Sequence, residues 1–278
     1  MKLTVLTINY NNKEGLTKTF ESVRSQTWKD FEFIVIDGGS TDGGKELIEQ
    51  NDQVNYWVSE KDSGVYNAMN KGIKKANGDY IIFMNSGDFF YDEFVLEKIK
   101  DQFDSNIDIL YGDSVFFNDK GYRKVIKAPE KLTFGFFYDG GLNHQAVFIK
   151  RSLFSDYFYY NEDYKICADW EFFILMVCLY NVSFRYLKEI ICYYDFSGIS
   201  AKVENLPIYI QEREQTLNKY FPAFRDDAEL TREMRAKRVK QVLHIKKYPV
   251  AWRVFKWMIS LFLLFLPKIQ KNLRKDNF

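Results

Sequence analysis

The stretch Glu60–Asp88, EKDSGVYNAMNKGIKKANGDYIIFMNSGD, decides how this chain is read. It opens as a polar loop, takes helical spacing over Gly64–Lys75, and turns at Asn77-Gly78. An apolar run over Tyr80–Met84 then stops in Asn85-Ser86-Gly87-Asp88. Such a short apolar run bounded by turn residues predicts a buried strand. A carboxylate just past the carboxyl end of that strand lies where open α/β sheets hold their ligands. The stretch therefore points to a nucleotide-and-metal site, and so to an enzyme.

The same alternation extends outward. Leu3–Ile8, Phe31–Ile36 and Val54–Val58 read as strands, and Lys13–Gln26 and Lys45–Gln50 as helices. Strands and helices at βαβ spacing predict an α/β fold with a mainly parallel sheet flanked by helices. Beyond Asp88 the rhythm changes. Glu93–Phe103 and Ala168–Tyr180 are helical. Ile107–Phe117 and Tyr122–Lys127 form a hairpin pattern around Asn118–Gly121, and Gln145–Ile149 and Ile190–Tyr194 are further strands. Residues 202–220 and 226–247 read as helices. With no internal repeat and no low-complexity linker, the expected division is a catalytic domain over 1–225 and a basic amphipathic helical tail over 226–278.

Charge supports that division. The net charge of +1 hides 13 Lys+Arg against 2 Asp+Glu after Leu230, a net of +11, which leaves −10 for residues 1–230. An acidic body with a basic tail predicts an anionic partner for the tail, membrane or nucleic acid. Within the tail, Trp257–Leu266 is apolar except for Ser260. As a helix it would reach only ~15 Å, about half of a ~30 Å hydrocarbon core. Arg253, Lys256 and Ser260 share one face, Lys268, Lys271, Arg274 and Lys275 follow, and Trp252 and Trp257 flank the run. This is the pattern of a helix lying in a membrane surface, here over 250–275. The bland alternative is a core or dimer-interface helix. The apolar run suits lipid better than nucleic acid, so no nucleic-acid partner is expected. Cys167, Cys178 and Cys192 form no C-x-x-C and read as reduced thiols. The chain enters a strand at once, so no secretory leader is expected. Together these place the protein in the cytoplasm, peripheral on the inner membrane face. The aromatic share of 18% fits a cleft for rings or sugars as well as a membrane element.

Three polar clusters fall at strand ends. Thr7-Ile8-Asn9-Tyr10-Asn11 offers amide and hydroxyl donors, with Tyr10 as a platform for a base ring. Asp37-Gly38-Gly39-Ser40-Thr41-Asp42 turns sharply, and Asp37 could accept from a base or ribose; Ser40 and Thr41 read as ordinary turn and cap residues. Asn85–Asp88 carries one acid. A diphosphate leaves readily only when its charge is neutralised, and a hard divalent cation on carboxylate oxygen does this, so Asp88 is a metal-ligand candidate. It could equally cap the following helix. Asp169, at the start of an apolar helix, could take a proton from an attacking hydroxyl, or simply suit a helix N-terminus. Glu171 is ranked second, as an acceptor contact. His144 could bind metal, acceptor or phosphate, or be satisfied within its loop. His244 reads as surface.

These clusters, in this order, resemble the family 2 inverting glycosyltransferases of the GT-A fold, over about Met1–Tyr194. The matching features are Asn9-Tyr10-Asn11, the VIDGGSTDG turn, the D-x-G-x-Y-x-A-x-N-x-G block from Asp62 to Gly72, and Asn85–Asp88. Asn143-His144-Gln145 and Ala168-Asp169-Trp170-Glu171 follow. In detail it looks like the bacterial branch that builds capsule, exopolysaccharide or O-antigen repeats. The resemblance implies that Tyr10, Asp37 and Asp62, with Thr7, Asn9, Asn85 and Ser86, line the nucleotide. It implies that Asp88 ligates Mn2+ or Mg2+ and that Asp169 is the general base. The family often has Asp-Asp-Gly-Ser where this chain has Asp37-Gly38-Gly39-Ser40, so a carboxylate often used on uracil is missing. The metal motif also keeps one acid only.

The expected activity is metal-dependent, inverting transfer of a sugar from a nucleotide diphosphate, UDP foremost, to a glycan hydroxyl, with the acceptor carried on a polyprenyl diphosphate. A homodimer would fit the tail as well. Processive relatives combine several membrane helices with Q-x-x-R-W; both are absent, so one residue is added per encounter. A nucleotidyltransferase would open with a G-x-G-T-R loop, which is also absent. The rival from another class is a silent membrane- or glycan-binding scaffold of the same fold.

Overall fold

The computed structural model describes residues 2–266 apart from Ser105, Asp119, Ser197, 199–201 and Arg235. Its frame is set by three strands buried on both faces: β1 (Leu3–Asn9), β2 (Phe31–Asp37) and β4 (Tyr80–Phe83). With β3 (Tyr56–Ser59) they pair in parallel in the order β3-β2-β1-β4. Side chains alternate as the pleat requires. Leu6, Ile34, Ile36, Ile81 and Phe83 join one core, and Leu3, Val5, Phe33, Val35 and Ile82 the other. Helix α1 (Lys13–Ser25) covers the second face with Leu16, Phe20 and Val23; the short α2 is Gly44–Glu49. Helix α3 (Val65–Lys75) covers the first face with Tyr66, Met69 and Ile73. Two packed faces account for the near-continuous apolar runs of the central strands.

The second half completes the sheet by antiparallel pairing. It contains β5 (Phe89–Phe90), α4 (Val95–Ile99), β6 (Ile109–Phe117), β7 (Arg123–Ile126), α5 (Phe134–Asp139), β8 (Val147–Lys150), α6 (Ser152–Asp156), α7 (Ala168–Cys178) and β9 (Phe184–Asp195). Strand β8 runs antiparallel to β4 and β6, β7 forms the expected hairpin with β6, and β9 returns parallel to β6 across a register shift near Gly112. The result is a mixed sheet in the order β3-β2-β1-β4-β8-β6-β9-β5. Three elements had no expectation: β5 and α6, each five residues or fewer, and α5, whose six residues are too short for a periodic signal.

Helix α8 (Leu206–Tyr220) locks the ligand end of this unit. Glu212 is buried and accepts from the backbone N–H groups of Lys165, Ile166 and Cys167 at 2.6, 3.0 and 2.9 Å. It thereby holds the chain entering α7. Beside it, Arg213 stacks 4.3 Å from the Trp170 ring and donates to the Phe137 and Tyr138 carbonyls. The Trp170 indole donates to the Phe137 and Gly140 carbonyls at 3.0 and 2.9 Å.

The chain divides into two compact units, the second beginning at Ala223. That unit contains α9 (Arg225–Met234), α10 (Lys237–Lys246) and α11 (Pro249–Leu263). The expected single helix over 226–247 is interrupted at Ala236, whose backbone is extended. Helix α11 starts eight residues before Trp257, with Pro249 in its first turn, where proline's missing N–H costs nothing. It exposes Val250, Val254, Trp257, Leu261 and Phe262. Among the described residues no helix is long and apolar enough to cross a membrane. Lys268, Lys271, Arg274 and Lys275 lie outside the described residues.

Replacing Glu212 by Ala strands three N–H groups, two of them buried. Urea unfolding of Glu212→Ala is expected to show a loss of about 3 kcal/mol, against about 0.5 kcal/mol or less for the exposed Glu214→Ala.

Candidate active site

The carboxyl ends of β1, β2 and β4 meet at one edge of the sheet, and the polar clusters lie there. Asp37, however, does not face a ligand. It is fully buried and accepts five hydrogen bonds: from Asn9 Nδ2 (2.7 Å), Ser40 Oγ (2.6 Å), Ser59 Oγ (2.6 Å) and the N–H groups of Gly39 (3.2 Å) and Ser40 (2.9 Å). Burial pushes its carboxyl up, but the bonds from Ser40, Ser59 and Asn9 outweigh it and hold the group below its ordinary value. Asp37, expected from the sequence at the base or ribose, here has the turn's own donors folded back onto its carboxylate, which organises the loop. Thr7 is likewise turned inward. Its hydroxyl donates to the Met84 carbonyl at 2.6 Å and ties β1 to the chain leaving β4. Asn9 braces Asp37 and Ser40 while its Oδ1 is buried without a partner. Tyr10, 68% exposed, and Asp62 remain open to a ligand.

Asn85–Asp88 forms a tight turn closed by the Asp88 N–H on the Asn85 carbonyl at 2.8 Å. Gly87 sits at φ +105°, where a side chain would be strained. Thr19 of α1 clamps the turn, accepting from the Gly87 N–H (3.1 Å) and donating to the Asp88 carbonyl (2.7 Å). Ser86 is occupied in the same way, its hydroxyl on the Asn12 carbonyl at 3.0 Å. Asp88 is only 4% exposed. Its Oδ1 accepts from the Asp195 N–H and its Oδ2 from Gln145 Nε2, both at 2.9 Å. Burial pushes this carboxyl up to about 7, against the opposing pull of those two bonds and of His144.

Among the described residues no three acids, histidines or cysteines converge on a metal position. The oxygens nonetheless suit a hard cation. Gln145 Oε1 and Asn85 Oδ1 are buried without a donor, and Gln145 is bonded through its Nε2 to the Asp88 carboxylate. Oxygen-only sets with one carboxylate and substrate phosphates are what Mg2+ and Mn2+ accept. The residues fit the expected cation.

Asp169 is held on both oxygens. The Tyr66 hydroxyl donates to Oδ1 at 2.9 Å, and His144 Nδ1 lies 2.7 Å from Oδ2. The other ring nitrogen, Nε2, lies 3.1 Å from Asn85 Nδ2. Burial raises the Asp169 carboxyl, but the His144 bond and charge and the Tyr66 bond hold it below its ordinary value. Asp169 is therefore ionised at neutral pH. A continuous chain, Asn85–His144–Asp169–Tyr66, joins the expected metal turn to the expected base. Glu171 is not part of it. Two residues along a helix turn the side chain by about 200°, and Glu171 is buried, accepting from Thr216 of α8 at 3.1 Å. The residue expected from the sequence to contact the acceptor thus bonds α8 in this structure.

Four supporting residues escaped the sequence reading: Thr19, Tyr66, Gln145 and Glu212. Gln145 and Tyr66 lie inside quoted motifs and could have been found there. Thr19 sits on the apolar face of α1 and reads as a small core filler.

Residues 4–158 match the family model described as Glycosyl transferase family 2. The chain belongs to that family. It is 30% identical over 205 residues, 68% of this chain and 75% of the relative, to a PGL/p-HBAD biosynthesis glycosyltransferase of Mycobacterium tuberculosis. It is 32% identical over 215 residues, 74% of this chain and 80% of the relative, to an uncharacterized glycosyltransferase of the same species. Among solved structures, S. aureus TarS 1–349 in complex with UDP-GlcNAc aligns at TM-score 0.58 and 22% identity, over 70% of this chain and 58% of that one. The mannosyltransferase PcManGT from Pyrobaculum calidifontis, in complex with GDP-Man and Mn2+, aligns at 0.61 and 14% identity, over 94% and 80%. These likenesses show a GT-A fold, and family membership makes the chain a glycosyltransferase.

A depressed carboxyl such as Asp37 lends stability that is present above its ordinary value of 3.8 and is lost as pH falls through its lower folded value. Asp37→Asn turns an amide onto donors. Chemical unfolding is expected to show a loss of about 2–4 kcal/mol at pH 7 and a shallower fall in stability below pH about 4.

Proposed function

We propose that the chain is a metal-dependent, inverting sugar transferase. It takes a sugar from a nucleotide diphosphate, UDP foremost, and places it on a hydroxyl of a glycan acceptor carried on a polyprenyl diphosphate, for a bacterial surface polysaccharide. The observation that carries this reading is the Asn85–His144–Asp169 chain, which puts an ionised carboxylate one imidazole away from the metal turn.

Asp88, with the unpartnered amide oxygens of Asn85 and Gln145, would hold Mn2+ or Mg2+, which when bound neutralises charge on the departing diphosphate. Asp169 accepts the acceptor's hydroxyl proton as the oxygen bonds to the anomeric carbon; the nucleoside diphosphate leaves from the opposite side with the glycosidic electron pair, and configuration inverts. Its depressed basicity suits a proton transfer that comes late, when the attacking oxygen has become acidic. His144 and Tyr66 keep the carboxylate oriented and ionised.

The second unit is the membrane contact in this reading. The exposed apolar residues of α11, with Trp257 68% exposed, lie beside Arg253 and Lys256. Each basic residue near an anionic leaflet adds on the order of 1 kcal/mol. The body and tail then divide as catalyst and anchor, bringing the site to acceptors embedded in the cytoplasmic leaflet.

Nucleotide release from a panel of nucleotide sugars with Mn2+ and lipid-linked acceptors tests the activity. Asp169→Asn is expected to lower kcat by about 10²–10⁴-fold while leaving calorimetric donor binding within about threefold, and Asp88→Asn to remove the Mn2+ dependence of that binding. Unchanged turnover in Asp169→Asn would place the base elsewhere. In flotation assays, deleting residues 250–278 is expected to abolish binding to anionic vesicles; retained binding would remove the tail from the membrane role.

A further inference from the structure

Helix α10 carries an open groove of about 700 Å³, lined among the described residues by Lys237, Lys240, Gln241, His244 and Ile245. These positions follow the i, i+3, i+4, i+7, i+8 rule, so they share one face of the helix. Ile245 is the apolar part of the lining, and the other four side chains bring hydrogen-bond donors. Lysine donates and never accepts, and a histidine ring keeps at least one N–H in any protonation state. Gln241 Oε1 already accepts from Arg238 Nη1 at 3.0 Å, so its amide has its donor left to offer. Among the described residues, no carboxylate lies within ion-pair distance of Lys237 or Lys240. From Lys237 to Leu266 the chain has no Asp or Glu, against seven Lys+Arg. A donor-lined hollow on a segment without acids suits an oxyanion.

Helix α11 narrows the choice of oxyanion. The Tyr248 N–H closes the end of α10 on the Ile245 carbonyl at 3.0 Å, the Tyr248 ring lies 5.4 Å from the His244 ring, and α11 begins at the next residue. Val250, Val254, Trp257, Leu261 and Phe262 of α11 are exposed and recur at helical spacing, so they form one apolar stripe. A free phosphate or a nucleic acid gains nothing from such a stripe, whereas a phospholipid matches both parts, with a phosphate for the groove and acyl chains for the stripe. We propose that the Lys237–Lys240–His244 groove of α10 takes the phosphate of an anionic phospholipid headgroup, while the stripe of α11 meets the acyl chains. This deepens the membrane reading above and rests on it. Two ammonium groups and the Gln241 and His244 donors converge on the phosphate oxygens as charge-assisted hydrogen bonds. Membrane contact then depends on these particular side chains, and not on the total charge of the tail.

The test titrates the full chain with vesicles of phosphatidylcholine alone and of phosphatidylcholine with phosphatidylglycerol, at constant ionic strength. Circular dichroism checks that each variant keeps its helices. The mixed vesicles are expected to bind at least about tenfold tighter than phosphatidylcholine alone. The double variant Lys237→Gln, Lys240→Gln is expected to weaken binding to them about 100-fold. The double variant Lys246→Gln, Lys247→Gln removes the same charge outside the groove and is expected to weaken it about tenfold or less. Equal losses in the two doubles would leave the membrane reading standing and overturn the groove. Inorganic phosphate is expected neither to bind the full chain in calorimetry nor to displace the mixed vesicles. Saturable phosphate binding that disappears in Lys237→Gln, Lys240→Gln would make the groove a free-phosphate site and overturn the lipid assignment. If the wild-type chain binds neither kind of vesicle, the membrane reading itself falls, and the inference with it.

Discussion

A 2.7 Å bond between His144 Nδ1 and Asp169 Oδ2 ties the two halves of this protein together. The imidazole sits in the turn that opens β8, and the carboxylate begins α7. Each is held from behind by something distant. Gln145, next to the histidine, supports Asp88; Tyr66 of α3 supports Asp169; and Glu212 of α8 supports the chain that leads into α7. A shift of any of these would misplace a group that must act within hydrogen-bond reach. The mixed half of the sheet, with β8 inserted antiparallel beside β4, is what brings residue 144 next to residue 85. Topology here is the means by which the Asn85–Asp88 turn and Asp169 share one polar chain.

Much of this was legible in the sequence, and for a clear physical reason. Strands buried on both faces leave unbroken apolar runs, and their polar exits stand out. Leu3–Ile8, Phe31–Ile36 and Tyr80–Met84 are of this kind, so the parallel half and the positions of Asp37 and Asp88 followed. Direction was harder. Asp37 and Asp62 look alike as turn acids, yet one is saturated by its own loop and the other stays open. That difference depends on where backbone N–H groups point, which residue type does not encode. Asp169 and Glu171 differ by a rotation about a helix axis whose core side cannot be fixed when every face is apolar, as in Trp170–Val177. His144 was visible only as a rare residue; its importance comes from two partners, 59 and 25 positions away.

The buried polar groups also explain why the site can be both rigid and receptive. Asp37, Thr7 and Thr19 spend their hydrogen bonds on the frame. Asn9 Oδ1, Asn85 Oδ1, Asn143 Nδ2 and Gln145 Oε1 keep theirs unspent. Unpaired buried polar atoms destabilise a fold, and real proteins carry few of them.

Helix α8 has a consequence for how the protein comes into being on the ribosome. Strands β1–β4 leave the exit tunnel first, and domains fold from the N-terminus as synthesis proceeds. Yet Asp88 takes its side-chain hydrogen bonds from the Asp195 N–H and Gln145, and the chain entering α7 is held by Glu212. The nascent chain therefore carries a half-built sheet with an open acidic edge until more than 210 residues have been made. Translation speed over β9 and α8 thus sets how long that edge waits, and a nascent chain stalled before Glu212 would have the Asn85–Asp88 turn without the bonds that hold the entry to α7.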